Sequence, residues 1–194
     1  MGRSGEGWLD PRLALDALRR KSASMGVTYI DDRAAGFELQ AGHITRVRLE
    51  NGDPIWVATV INAAGAQAAR VAAMAGVTLP IEARKRSAFV FRSESPPVGF
   101  TNLVDPTFAS RGVYVRPYHG DFLAVTSPAP EVDVHTEDMS GDLALFDDVV
   151  RPGLARRVIG FEEIQLVDAW AGHYEINTLI RTLSSADIPR LRTS

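Results

Sequence analysis

Residues 36–62, GFELQAGHITRVRLENGDPIWVATVIN, alternate apolar and polar side chains around two turn signals, Ala41-Gly42 and Asn51-Gly52. A period of two belongs to strands, whose successive side chains leave on opposite faces. Short connections of small residues and Asn-Gly close hairpins. The stretch predicts a small antiparallel meander, and the rest of the chain must be read around it.

Asp10-Pro11 supplies a helix N-cap followed by proline at the first helical position. Leu13, Ala14, Ala17, Leu18 and Met25 recur at helical spacing, and Gly26 stands where a C-terminal cap belongs. A helix is expected over 11–25, then a short strand at VTYI, Val27–Ile30. After the meander, WVATVIN stops at the small-residue turn AAGAQA. Ala68, Val71, Ala72 and Ala75 then mark a helix closing at Gly76. A strand that ends in a small-residue turn and opens a helix is an α/β crossover, where backbone can approach a nucleotide cofactor. With one glycine where a G-x-G-x-x-G turn has three, NAAGAQAA serves equally well as a tight helix-packing turn.

The texture changes at Leu79. SAFVF, GVYVRP and FLAVTSP read as strands, the last two joined by the turn YHGD. Residues 141–158 read as helical with a step at Pro152, and EEIQLVDAWAGHY as a further strand. The fold class is α/β (α+β), with a join near residues 79–86.

The chain is 45% hydrophobic, with net charge −3 and Lys and Arg scattered rather than striped. That argues for a packed core and against nucleic acid as partner. No apolar run is long enough to span a bilayer. With no cysteine, disulfides, thiolate metal sites and a cysteine nucleophile are excluded, and a cytoplasmic setting is favoured. His43, His119, His135 and His173 share no metal-ligand spacing, so no metal site is expected. No nucleophile elbow or P-loop is present. Arg84, Lys85 and Arg86 read as a solvated charge cluster. Arg116, beside Pro117 and two residues from Tyr114, suits either a structural ion pair or a bidentate grip on a carboxylate. Trp170, His173 and Tyr174 gather at one glycine, as pocket lining or as core.

In order and spacing these segments resemble one family. GRSGEGWLDPRLALDAL, GVTYIDDRAAGFELQAGHITRVRLENG and VINAAGAQAARVAAMAGVTLPIEARKRSAFVF, followed by GVYVRP, FLAVTSP and WAGHYEINT, are similar to the D-amino-acid oxidase, glycine oxidase and sarcosine oxidase superfamily. The resemblance implies a partial FAD-binding, Rossmann-like domain with a small β-meander over residues 1–83, and an antiparallel-sheet substrate domain over 84–178. It implies FAD as cofactor and a small-molecule amine or amino acid as substrate, oxidised at a C–N bond by hydride transfer. It places Ala63, Ala64 and Gly65 as backbone contacts to FAD and Ala34 on the adenine side. Gly5, Gly7 and Trp8 lie in the segment leading toward the flavin. Tyr114 and Arg116 fall on a substrate-domain strand. Some relatives carry a substrate-binding arginine where this chain has Tyr174, so Tyr174 becomes the candidate contact and a simple α-amino acid is a less natural substrate.

The family's G-x-G-x-x-G half would precede residue 1. We therefore expect weak or absent FAD binding and an inactive chain, unless a partner chain supplies that half. The tail, residues 179–194, departs from the family. Permitted codons let its nucleotides encode the family-like DQNAIIG in a neighbouring frame, so a frameshift and a poorly ordered tail are expected. The alternative to a broken enzyme is a non-catalytic binding or interaction module.

Overall fold

The computed structural model describes residues 9–110, 112–126 and 138–179. Helix α1 (Pro11–Ser24) starts as expected, with the Asp10 carboxylate accepting from the N–H groups of Arg12 and Leu13 at 2.8 and 3.2 Å. It buries none of its residues, and Leu13 and Leu18 are each 68% exposed. Val27–Ile30 is irregular backbone rather than the expected strand. Among the described residues no strand pairs with it, so nothing satisfies an extended backbone there.

The meander forms. β1 (Ala34–Gln40), β2 (His43–Leu49) and β3 (Ile55–Trp56) pair antiparallel in that order. Ala41 and Gly42 take φ of 48° and 77°, the left-handed pair that a tight hairpin needs to match strand twist. Only the first part of WVATVIN pairs. Further on, a 3-10 turn (Gly65–Gln67) leads into α2 (Ala68–Ala73).

The larger sheet contains β4 (Ile81–Ser93), β5 (Leu103–Asp105), β6 (Val113–Tyr118), β7 (Asp121–Thr126) and β8 (Ile164–Asn177). Its order is β5-β6-β7-β4-β8, with every pair antiparallel. The YHGD turn is a tight hairpin, with φ of 50° at His119 and 91° at Gly120. Residues 81–86 of the expected join lie on one continuous strand, β4.

The pleat gives this sheet two different faces. On the core face, Phe89, Phe91, Val115, Phe122 and Ala124 pack against Leu145, Phe146, Val150 and Leu154. Those helical residues come from α3 (Leu143–Leu145), a π-helical turn (Phe146–Val150) and α4 (Arg151–Ala155). The expected step is the π turn, where the Arg151 N–H reaches back to Phe146, immediately before Pro152, which has no N–H to offer. Phe161 closes the cluster edge-on, 5.2 Å from Phe91 and 4.7 Å from Phe122 between ring centres. Each fully buried phenylalanine contributes ~1.5–3 kcal/mol. The second face has a smaller apolar centre, Ala88, Val90 and Leu123, with Tyr118, Val125 and Trp170 packed against it.

Candidate functional site

The small-residue turn is built by Asn62. Its side-chain amide donates to the Ala68 carbonyl at 2.8 Å and accepts from the Ala64 N–H at 3.2 Å. One side chain thus replaces the backbone bonds of a regular turn. Sequence reading passed over Asn62, although an asparagine before a run of small residues is a turn signal. Ala63 and Ala64 are exposed, and Gly65 has φ +53°.

This turn packs on the last part of β8. A Cβ placed on Gly65 would lie 3.7 Å from Glu175 Oε2. Two residues before Glu175, on the same face of β8, stands His173. Both its ring nitrogens are shielded from solvent and have no hydrogen-bond partner among the described residues. Opposite His173 on β4 is Lys85, whose Nζ donates to Asp138 Oδ2 at 2.5 Å. That bond, with further ones from Ser140, holds the Asp138 carboxyl far below its ordinary range.

The second sheet face carries the expected substrate residues. Cross-strand register lines up Arg116, Leu123, Val90 and Asp168 in one row and Tyr114, Val125, Ala88 and Trp170 in the next. Further along, Arg86 stands opposite Gly172, and Arg84 opposite Tyr174. Tyr114, Arg116 and Tyr174 therefore share a face. They do not share a spot: strand spacing and rise put Tyr174 about 20 Å from Tyr114. Arg116 is 9% exposed; its Nη1 donates to the Pro117 carbonyl at 3.0 Å, and its guanidinium lies 5.3 Å from the Tyr118 ring centre.

Arg84, Lys85 and Arg86 are not the solvated cluster expected. They sit inside a paired strand, so the pleat divides them between faces. The Arg84 and Lys85 side chains are only 17% and 12% exposed. The Arg86 guanidinium lies 4.3 Å from the Tyr174 ring centre, with Nη2 donating to the phenol oxygen and Nη1 to the Lys85 carbonyl. A Cβ on Gly172, between Trp170 and Tyr174, would meet nothing within 4 Å.

The other expected contacts are placed elsewhere. Ala34 opens β1 opposite Leu49, in the three-stranded sheet. Gly5, Gly7, Trp8 and the tail from residue 180 lie outside the described residues. A cavity of about 310 Å³ is lined by Glu94, Arg151, Glu162, Glu163, Ile164 and Gln165, at the opposite end of β8 from Tyr174. It contains none of the expected site residues. No helix among the described residues is long and apolar enough to cross a membrane.

Residues 3–189 match the profile of the FAD dependent oxidoreductase family. The chain is 32% identical to FAD-dependent oxidoreductase domain-containing protein 1 of Xenopus laevis, over 91% of this chain and 41% of that protein. It thus spans about two fifths of that relative's length. Among solved structures it is similar to L-proline dehydrogenase of P. horikoshii, with TM-score 0.74, 21% identity, 87% of this chain and 44% of that one. L-amino acid deaminase of Proteus vulgaris aligns at TM-score 0.66 and 21% identity, over 87% of this chain and 50% of that one. These two likenesses speak to fold, and the family match to the cofactor. The chain belongs to the FAD-dependent oxidoreductases of the D-amino-acid oxidase kind.

Proposed function

We propose that this chain contributes one wall of a flavin site and the adjoining substrate surface of an enzyme that oxidises a C–N bond in an amine or amino acid. The observation that carries the reading is the meeting of the Ala63–Gly65 turn with β8 at Glu175, whose sequence neighbour Tyr174 leaves the strand on the other face. The turn has the chemistry for a group approached by main chain: two exposed alanines and a glycine in the left-handed region. His173 adds two buried nitrogens that lack a partner, as a position awaiting a bound group would. Ala63, Ala64 and Gly65 would hold the cofactor, with Ala34 on its adenine side. FAD, when bound, supplies the acceptor for the hydride. This chain's own residues orient the substrate and exclude water from it. Tyr174 offers a phenol to the bound molecule, and Trp170 supplies an apolar wall. The names of the aligned structures, an L-proline dehydrogenase and an L-amino acid deaminase, support an amino acid or related amine as substrate. Tyr114 and Arg116 would serve a more distant part of the same surface.

A second reading, a half-site completed by another polypeptide, is favoured by α1. That helix buries nothing and exposes Leu9, Leu13 and Leu18 nearby, each at least 67%. Such a face calls for a covering element.

FAD titration of the purified protein, followed by flavin fluorescence and thermal shift, tests the reading. Saturable binding weakened by substitution at Gly65 supports it. Binding that appears only after adding a polypeptide with the unmatched part of the relatives selects the second reading. No saturation under either condition refutes both.

A further inference from the structure

We propose that Ser22 is a phosphorylation site for a protein kinase that reads basic residues ahead of a serine, and that the added phosphate draws Arg19 away from Tyr29. Arg19, Arg20 and Lys21 stand directly ahead of this hydroxyl. α1 carries Arg12, Arg19, Arg20 and Lys21 against one acid, Asp16, in a chain whose net charge is −3. Among the described residues Arg19, Arg20 and Lys21 make no ion pair. An acidic kinase groove therefore gains charge-assisted bonds to them without breaking any that the fold has made. Ser22 lies in the last turn of α1, a helix that buries none of its residues. Such a turn is held by local bonds alone and opens readily to the extended form that an enzyme groove accepts.

The contacts of Ser22 say what the modification does. Its Oγ donates toward the carbonyls of Leu18 and Arg19, at 2.8 and 3.1 Å, and lies 2.6 Å from the Tyr29 hydroxyl. The Arg19 guanidinium lies 4.8 Å from the Tyr29 ring centre. With the Val27 N–H on the Ser22 carbonyl at 3.1 Å, these contacts tie residues 27–30 to the helix. Transfer of the γ-phosphoryl group of a nucleoside triphosphate forms the Ser22 Oγ–P bond and breaks the bond to the β,γ-bridging oxygen. The hydroxyl proton goes to a base of the kinase, and nucleoside diphosphate leaves. The Leu18 and Arg19 carbonyls then lose their donor, and a charge of about −2 stands at Ser22. Arg19, three residues earlier, is its neighbour on the helix surface. A forked guanidinium–phosphate pair is stronger than an exposed cation–π contact, so Arg19 turns to the phosphate and Tyr29 is released. Ser24 is the rival acceptor. It is exposed, but its cations begin three residues back, and its Oγ bonds only to the Lys21 carbonyl, at 2.7 Å.

The test uses the full chain with MgATP and a purified basic-directed serine kinase, the phosphate being mapped by mass spectrometry. Ser22 should take the label. Ser22→Ala should remove it and Ser24→Ala should leave it. Arg19→Ala and Arg20→Ala should each slow labelling by at least about tenfold, whereas Arg12→Ala, at the far end of the same helix, should not. Phosphorus NMR titration of the labelled chain then reads the Arg19 contact. The second ionisation of the phosphate should fall below its free value of about 6 in the folded chain and return to it in urea. Label confined to Ser24 or another serine overturns the proposal, as does labelling indifferent to Arg19→Ala and Arg20→Ala. So does a chain that takes no label. A phosphate on Ser22 that titrates alike with and without urea overturns the transfer of Arg19. None of these readings depends on FAD, so they stand or fall apart from the flavin titration.

Discussion

Gly65 and Glu175 are neighbours across 110 residues of sequence: a side chain begun at Gly65 would reach 3.7 Å from the Glu175 carboxylate. The distance is an ordinary contact, so space is not what demands glycine. The φ of +53° does. An L-residue held there costs roughly 1–2 kcal/mol. Gly65→Ala should lower the melting temperature by about 2–8 °C for a chain of this size. It should also weaken FAD more than this strain alone predicts, because on the proposed reading a methyl would stand where backbone meets the cofactor. Calorimetry with a parallel FAD titration reads both. An unchanged FAD affinity would remove the turn from the cofactor site.

His173 offers a test of opposite sign. Its two buried nitrogens lack partners among the described residues, and an unsatisfied buried polar group carries a desolvation cost of about 1–3 kcal/mol. Replacing it by a similar apolar shape, His173→Leu, should stabilise the ligand-free chain by an amount in that range, measured by urea denaturation. If His173 serves the bound cofactor, the same variant should lose part of the thermal shift that FAD produces. A destabilised ligand-free variant would show that the histidine is already satisfied.

What the sequence made legible was local. The alternation of residues 36–49 and the left-handed pair Ala41 and Gly42 give β1 and β2 without help from the rest of the fold. Asp10 caps α1 by the same local logic. Val27–Ile30 misled because β-branched and aromatic residues fit a strand only when a neighbour supplies hydrogen bonds. The Arg84–Arg86 run misled for a related reason. Charge predicts solvent, but residues 81–93 pair along their whole length with β8, and the pleat sends Lys85 to Asp138 and Arg86 to Tyr174. The resemblance chose Tyr174 from its place in WAGHYE. Its partner Arg86 is 88 residues away, and no spacing rule connects them.

The Lys85–Asp138 bond sets a pH dependence. Asp138 is held below its ordinary value of 3.8 first by the hydrogen bond from Lys85, then by those from Ser140. A carboxyl depressed in the folded state contributes stability that is complete above its unfolded pKa and is lost as pH falls through the folded one. The contribution is therefore intact at neutral pH and declines only below about pH 4. Lys85→Met should return the Asp138 carboxyl toward 3.8 and flatten the loss of stability between pH 4 and lower pH. Carboxyl-carbon NMR titration of wild type and variant reads the shift directly. An identical Asp138 titration in both would show that Ser140 alone holds the carboxylate.

The core face gives the sharpest packing prediction, at Gly153 and Phe108. Phe108 is fully buried, and a Cβ on Gly153 would overlap its Cζ and come 2.6 Å from Cε2. The ring belongs to the main core cluster, with the Arg157 guanidinium 5.3 Å from its centre, and overpacking of this kind costs ~1–3 kcal/mol or more. Gly153→Ala should therefore unfold at distinctly lower urea concentration. Phe108→Leu, which shortens the opposing side chain, loses buried area on its own but should recover part of the Gly153→Ala penalty in the double variant. A coupling energy near zero in that cycle would mean that α4 shifts as a body instead of meeting the ring.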